Sequence, residues 1–165
     1  MKVLIFGPSG SGKTYTSQAL RDSGINAWDA DDIIGLSGWY DKYGQKVAEP
    51  KTAEEAINNH YSFLWSKSFL AGFLSRFSEV YVFGGSGNIW NMFDSFDRVY
   101  FLKVDFDTQK KRILNAASRN SLLDFTENDL VIWGEWFEKE AKKRNIPFID
   151  ATLSPDEIYN IISQK

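Results

Sequence analysis

The 165-residue chain contains no cysteine, one histidine and two methionines. Disulfides and thiolate metal sites are therefore excluded, and redox chemistry gives no hint of compartment. No apolar run approaches the roughly 20 residues needed to span a bilayer. The apolar run beginning at Lys2 leaves no room for a secretory signal, so a cytoplasmic protein is expected. Positive charge is not in excess: the net charge is −3 with a pI near 5.2, which argues against a nucleic acid or an anionic membrane as partner. No arginine occurs between Asp22 and Ser75. Aromatic residues, by contrast, make up 16% of the chain and include six tryptophans. The length is that of one domain able to bury a core of its own.

Directly after the apolar run VLIF stands GPSGSGKT, Gly7 to Thr14. It fits Gly-x-x-x-x-Gly-Lys-Ser/Thr, in which glycines let successive backbone N–H groups face an anion and the lysine reaches the outer phosphates. The hydroxyl of Thr14 is placed to ligate Mg²⁺. The pattern recurs by chance, so its context decides. KVLIF reads as a strand buried on both faces, and KTYTSQALRDSG as a helix opening at Lys13 and stopped by Gly24.

The rest alternates strands and helices. INAWDADDI (residues 25–33) reads as a strand running into an acidic turn, and residues 34–50 as a loop with at most a helical turn. Residues 52–77 read as one helix opened by a capping box at Thr52 and Glu55, with Ile57, Tyr61, Leu64 and Ala71 on one face. EVYVFGG and RVYFLKVD are strands, TQKKRILNAASRN a helix, and ENDLVIWGEWFEKEAKKRN a helix interrupted by Gly134. IPFIDA is a fifth strand, and SPDEIYNIISQK a helix with Ser154 as N-cap and Pro155 at its first position. This alternation implies an α/β fold, a three-layer sandwich around a five-stranded parallel sheet. Ligands collect at the carboxyl ends of such strands. Four of the five strands end in GPSGSGKT, in Asp29, Asp31 and Asp32, in GGSGN, and in DATLSP.

Taken in that order, these motifs resemble the small P-loop kinases of the shikimate kinase, gluconate kinase and nucleoside or nucleoside monophosphate kinase type, over almost the whole chain. The resemblance implies a single kinase domain with an acceptor lobe over residues 35–76 and a short lid over 112–128. It implies a nucleoside triphosphate, ATP, held with Mg²⁺ by Gly7, Pro8, Ser9, Gly10, Ser11, Gly12, Lys13, Thr14 and Tyr15. Arg112, Ala151 and Thr152 would complete the nucleotide site. Thr14 and Asp29 would serve the metal, the latter through its waters. Asp31 would contact the acceptor and take its proton, and Arg119 would close over the moving phosphoryl group. Phosphoryl transfer asks mainly for positioning and charge neutralisation, which is why lysine, magnesium and arginine recur in it.

The chain departs from these kinases in its acceptor lobe. A phosphate or carboxylate on the acceptor calls for a guanidinium fork, and the lobe has none, although Lys42, Lys46, Lys51 and Lys67 lie there. An uncharged hydroxyl acceptor is expected, a nucleoside or a polyol, with Trp39 and Tyr40 in a loop as the pocket aromatics and Gly84 and Gly85 beside them. Tyr61 and Trp65 are expected to pack a helix onto the sheet, and His60 is given no role. Four alternatives stay open: a nucleoside monophosphate kinase, a polynucleotide 5′-hydroxyl kinase, a GTPase-like switch, and a nucleotide-binding protein without acceptor chemistry. Nothing in the sequence argues against a monomer.

Overall fold

The computed structural model describes residues 1–116 and 127–164. In chain order its strands are β1 (Lys2–Phe6), β2 (Ala27–Asp29), β3 (Ser37–Tyr40), β4 (Lys46–Val47), β5 (Ser62–Trp65), β6 (Val80–Gly84), β7 (Arg98–Lys103) and β8 (Phe148–Asp150). The helices are α1 (Lys13–Asp22), α2 (Ala53–Asn58), α3 (Lys67–Leu74), α4 (Phe106–Ala116), α5 (Glu127–Lys143) and α6 (Pro155–Ile162), with 3₁₀ turns at Ala30–Asp32 and Ile89–Ser95.

Five strands form a parallel sheet in the order β2-β6-β1-β7-β8. The continuous apolar runs of β1 and β6 follow from coverage on both sides. Leu4, Phe6, Val80, Val82 and Phe101 face one layer together with Leu70, Phe73 and Ala141. Val3, Ile5, Tyr81, Phe83 and Leu102 face the other, with Leu20 of α1 and Ile158 and Ile162 of α6. Each fully buried Val, Leu, Ile or Phe side chain among them contributes about 1.5–3 kcal/mol.

The aromatic content is largely spent in the first layer. The Phe6 ring meets Trp90 at 5.4 Å, Phe93 at 5.5 Å, Phe101 at 5.2 Å and Phe137 at 6.4 Å. These rings weld the strand that leads into the glycine-rich loop to α5 and to the 3₁₀ turn after β6.

Helix ends follow the sequence at both termini of the chain. Gly24 takes φ +84°, and its N–H bonds Arg21 O while that of Ile25 bonds Leu20 O, closing α1 in a Schellman turn. Ser154 and Glu157 cap α6 reciprocally, with Pro155 in the first turn.

Residues 34–77 differ from expectation. The segment expected to be a loop holds β3 and β4, and the long helix is three elements, α2, β5 and α3. β3, β4 and β5 make a second, antiparallel sheet in the order β4-β3-β5. The capping box does start α2, with Thr52 Oγ1 accepting the Glu55 N–H at 3.1 Å. His60 then ends it: its φ is +55°, its N–H bonds Ile57 O, and that of Tyr61 bonds Ala56 O. This is the same Schellman geometry built without glycine. Ile57 is exposed, and Leu64 lies on a strand, so the supposed apolar face does not exist. Trp65 is buried as expected, though from β5 rather than from a helix.

Candidate active site

β1 and β6 end level with one another, Phe6 opposite Gly84, and β2 ends with Asp29 opposite Phe83. Three strands thus deliver the glycine-rich loop, the acidic turn and the GGSGN loop to one edge of the sheet. That edge lies where the chain order reverses about β1, which is the ligand crevice of open α/β sheets.

The loop from Gly7 to Gly12 needs its glycines. Gly10 and Gly12 have φ of +78° and +88°. A Cβ on Gly7 would come within 2.7 Å of Leu102 O, and one on Gly10 within 3.0 Å of Gln109 O. The Ser11 N–H closes a turn on Pro8 O at 3.2 Å, and Ser9, whose carbonyl is tied to α4, completes the curve. α1 opens directly from Gly12, so its first N–H groups face the loop, with Thr14 and Tyr15 exposed in that turn. Lys13 Nζ donates to Gly7 O and Pro8 O, both at 2.8 Å. Loss of water around that amine pushes its pKa down to about 8, while Asp29 and Asp31 pull it back up. Lys13 is therefore electrostatically coupled to both carboxylates.

Asp29 is buried at the end of β2, and its carboxylate accepts the Asp31 N–H at 3.0 Å, capping the 3₁₀ turn. Asp31 is held above the ordinary carboxylate range by desolvation and by Asp29, with Lys13 opposing and Asp32 adding to the rise. Its side chain still reaches solvent, so the desolvation comes from the protein on one side of it. Asp32 belongs elsewhere, paired with Arg21 at 3.1 Å.

On the far side of the loop, the Arg112 guanidinium donates to Gly10 O at 3.3 Å and to Ala151 O at 3.1 Å. It thereby ties the glycine-rich loop to the turn after β8, where Asp150 accepts the Thr152 N–H at 2.8 Å and its hydroxyl at 2.7 Å. Arg119 lies outside the described residues, as does most of the expected lid.

Three supporting residues were given no role by the sequence. Gln109 is 4% exposed and donates to Ser9 O at 3.0 Å. Gly134, the interruption in α5, lets that helix approach the loop: a Cβ there would stand 3.1 Å from Pro8 Cβ and from Gln109 Nε2. Asn88 binds the backbone of Trp65. Trp39 and Tyr40, expected in a loop, are neighbours on β3 and so project to opposite faces. Trp39 meets Phe63 at 5.6 Å. Gly84 is fully enclosed, since a Cβ would meet Ala30 Cβ at 2.4 Å and Trp65 Cζ2 at 2.8 Å, whereas Gly85 borders open space.

Among the described residues no three His, Cys, Asp or Glu side chains gather into a metal cage. The donor set suits magnesium nonetheless. That ion keeps several waters and takes few protein ligands beside phosphate oxygens, and Thr14 in the first turn of α1 with Asp29 at the end of β2 would supply such a set.

No family model matches the chain, and no curated protein sequence does. Among solved structures, shikimate kinase from Acinetobacter baumannii in complex with shikimate is similar, with a TM-score of 0.59 and 18% identity over 99% of this chain and 94% of that one. Shikimate kinase from Bacteroides thetaiotaomicron gives 0.57 at 16% identity, covering 99% of each chain. Deoxyadenosine kinase from M. mycoides with bound dATP gives 0.52 at 17% identity, over 99% of this chain and 97% of that one. At such identities the likeness is one of architecture: the chain has the fold of the small P-loop kinases, a five-stranded parallel sheet between two helical layers.

Proposed function

We propose that the protein is an ATP-dependent kinase that transfers the γ-phosphoryl group to an uncharged hydroxyl on a small molecule. The observation that carries this reading is that β1 and β2 end at the same edge of the sheet, one in a glycine loop whose carbonyls hold Lys13 Nζ and the other in the acidic turn of Asp29 and Asp31. A phosphate cradle and an acidic acceptor turn thus share one edge of the sheet.

The residues divide the work. The N–H groups from Gly10 to Thr14 and the Lys13 ammonium hold the β and γ phosphates. Arg112 fixes the loop against the turn after β8, where Ala151 and Thr152 border the nucleotide. Magnesium held by Thr14, and through water by Asp29, would neutralise charge on the phosphates and orient them. Asp31 accepts the proton of the acceptor hydroxyl as its oxygen bonds to phosphorus; the γ-phosphorus to bridging-oxygen bond breaks and ADP leaves. Its raised pKa makes Asp31 a stronger base than an unperturbed carboxylate.

The acceptor lobe, without an arginine between Asp22 and Ser75, favours an uncharged substrate. Of its lysines, Lys67 is held by Asp94 at 2.6 Å, and Lys42 lies over the Tyr43 ring on the hairpin.

The test is ADP release from Mg-ATP across nucleosides, nucleoside monophosphates, hydroxy acids, polyols and a 5′-hydroxyl oligonucleotide. Turnover with an uncharged hydroxyl compound is expected, lost in Lys13→Ala and reduced about 10²–10⁴-fold in Asp31→Asn. Turnover confined to monophosphates would refute the assignment of the acceptor, and turnover untouched by Lys13→Ala would refute the site.

A further inference from the structure

In the small sheet Ser37 lies opposite Trp65, and Trp39 opposite both Phe63 and Val47. Directly opposite residues project from the same side, and alternate residues share it. One face therefore carries Ser37, Trp39, Val47, Phe63 and Trp65, and the other carries Gly38, Tyr40 and Lys46. The Lys46 stem accordingly lies across Gly38 next to the Tyr40 ring.

The first face starts at the acidic turn. Trp65 packs its indole edge on Gly84, which the Ala30 methyl also borders, and Ala30 sits between Asp29 and Asp31. Phe63 stands two residues along β5, about 7 Å farther out. Its ring is tilted 59° to that of Trp39, and both rings are only half-buried. They border a cavity of about 270 Å³ that Ser37, Gly38, Lys46, Val47 and Glu49 also line.

We infer that this cavity receives the distal part of the acceptor, and that the acceptor is an uncharged planar heterocycle bearing the reactive hydroxyl, a compound of nucleoside chemistry. The inference rests on the kinase reading above and selects within it. Trp39, Phe63 and Val47 supply its apolar lining, and Ser37, Lys46 and Glu49 its polar lining, so a polyol would leave hydroxyls unpaired against the rings. A planar heterocycle offers its faces to the rings and keeps its polar atoms at the edge. Glu49 meets that edge. It has no hydrogen-bond or ion-pair partner among the described residues, and as a carboxylate it accepts from a ring N–H or amino group. Ser37 Oγ, in the cavity wall, and Trp65 Nε1, farther along the same face, are buried without a partner among the described residues.

The experiment has two arms on the full chain. Equilibrium dialysis measures binding of adenosine, guanosine, cytidine, thymidine, sorbitol and a nucleoside monophosphate without ATP. A second assay follows ADP release from Mg-ATP with the same compounds. At least one nucleoside is expected to bind and to be turned over. Trp39→Leu and Phe63→Leu should each weaken its binding about tenfold, Trp39→Phe less, and Tyr43→Ala at the exposed hairpin tip not at all. Sorbitol turnover with no nucleoside bound would overturn the inference and leave the kinase reading standing. So would nucleoside binding indifferent to Trp39→Leu. Binding sensitive to Trp39→Leu with no ADP release would uphold the ring site and refute the kinase reading. Neither binding nor turnover would refute both.

Discussion

Asn88 clasps the backbone of Trp65 at both ends. Its Oδ1 accepts the Trp65 N–H at 2.9 Å, and its Nδ2 donates to the Trp65 carbonyl at 3.0 Å. The same Oδ1 accepts the Ser86 hydroxyl at 2.9 Å. A side chain thus continues the small sheet where strand pairing stops, and joins it to the loop beside the phosphate cradle. Asn88→Ala should cost about 1–3 kcal/mol, the range for a buried group left unpaired. For a chain of this size that lowers Tm by about 2–4 °C per kcal/mol. Asn88→Asp should be no better, because its carboxylate cannot donate to the Trp65 carbonyl. Thermal unfolding is the check, and a Tm unmoved in both variants would show the clasp to be idle.

Lys13 should make nucleotide binding proton-linked. With its pKa lowered from 10.5 to about 8, part of the amine is neutral at pH 8. A polyphosphate favours the ammonium form, so binding should take up protons near pH 8 and weaken as pH rises through that value. Calorimetry in buffers of unequal ionisation heat should detect uptake at pH 8, little at pH 6.5, and none in Lys13→Ala. The sign for stability is opposite. Between about 8 and 10.5 the unfolded chain holds more protons at this position than the folded one, so this group adds stability as pH increases.

Two glycines should respond in opposite directions to alanine. At Gly84 the new methyl group would meet Ala30 and Trp65, the nearest atom at 2.4 Å. Overpacking of that kind costs about 1–3 kcal/mol. Gly72 lies in α3 with nothing within 4 Å of a Cβ. Gly72→Ala should therefore stabilise by about 0.5–1 kcal/mol through helix propensity alone. Denaturant midpoints of the two variants measured together decide this.

Arg112 bridges the carbonyls of Gly10 and Ala151 with separate guanidinium nitrogens. Arg112→Ala should raise the KM for ATP about tenfold or more. Arg112→Lys should restore little of that, since one nitrogen would replace the two guanidinium nitrogens that reach the two carbonyls separately. Steady-state kinetics with ATP varied is the measurement, and full rescue by lysine would mean that only charge matters there.

Where local chemistry alone set the outcome, the sequence was readable. The glycine-rich loop, the buried runs of β1 and β6, Gly24 and the Ser154 cap all follow from residues adjacent to the feature they create. The small sheet was hidden for the opposite reason. Its strands run from two to four residues, too short to display an alternation. Its hairpin turns on Asp41, whose carboxylate accepts the N–H groups of Tyr43 and Gln45, and on Gly44 at φ +78°. His60 concealed the end of α2, because a histidine in the left-handed region looks in sequence like one more helical residue. Within the site, Gln109, Asn88 and Gly134 act across 23 to 100 residues of chain or through close packing. No periodicity records such contacts. Gly134 looks like a defect in α5 until Pro8 is seen against it.

The sheet also tapers. Its outer strands, β2 and β8, are three residues each, while β1, β6 and β7 between them have five or six. A three-residue edge offers few free N–H and C=O groups to another chain. The long apolar runs that would otherwise template intermolecular pairing are kept inside. Resistance to aggregation is therefore a property of strand placement, held only while the sheet stays intact. On partial unfolding VLIF and VYVF become the segments prone to stack.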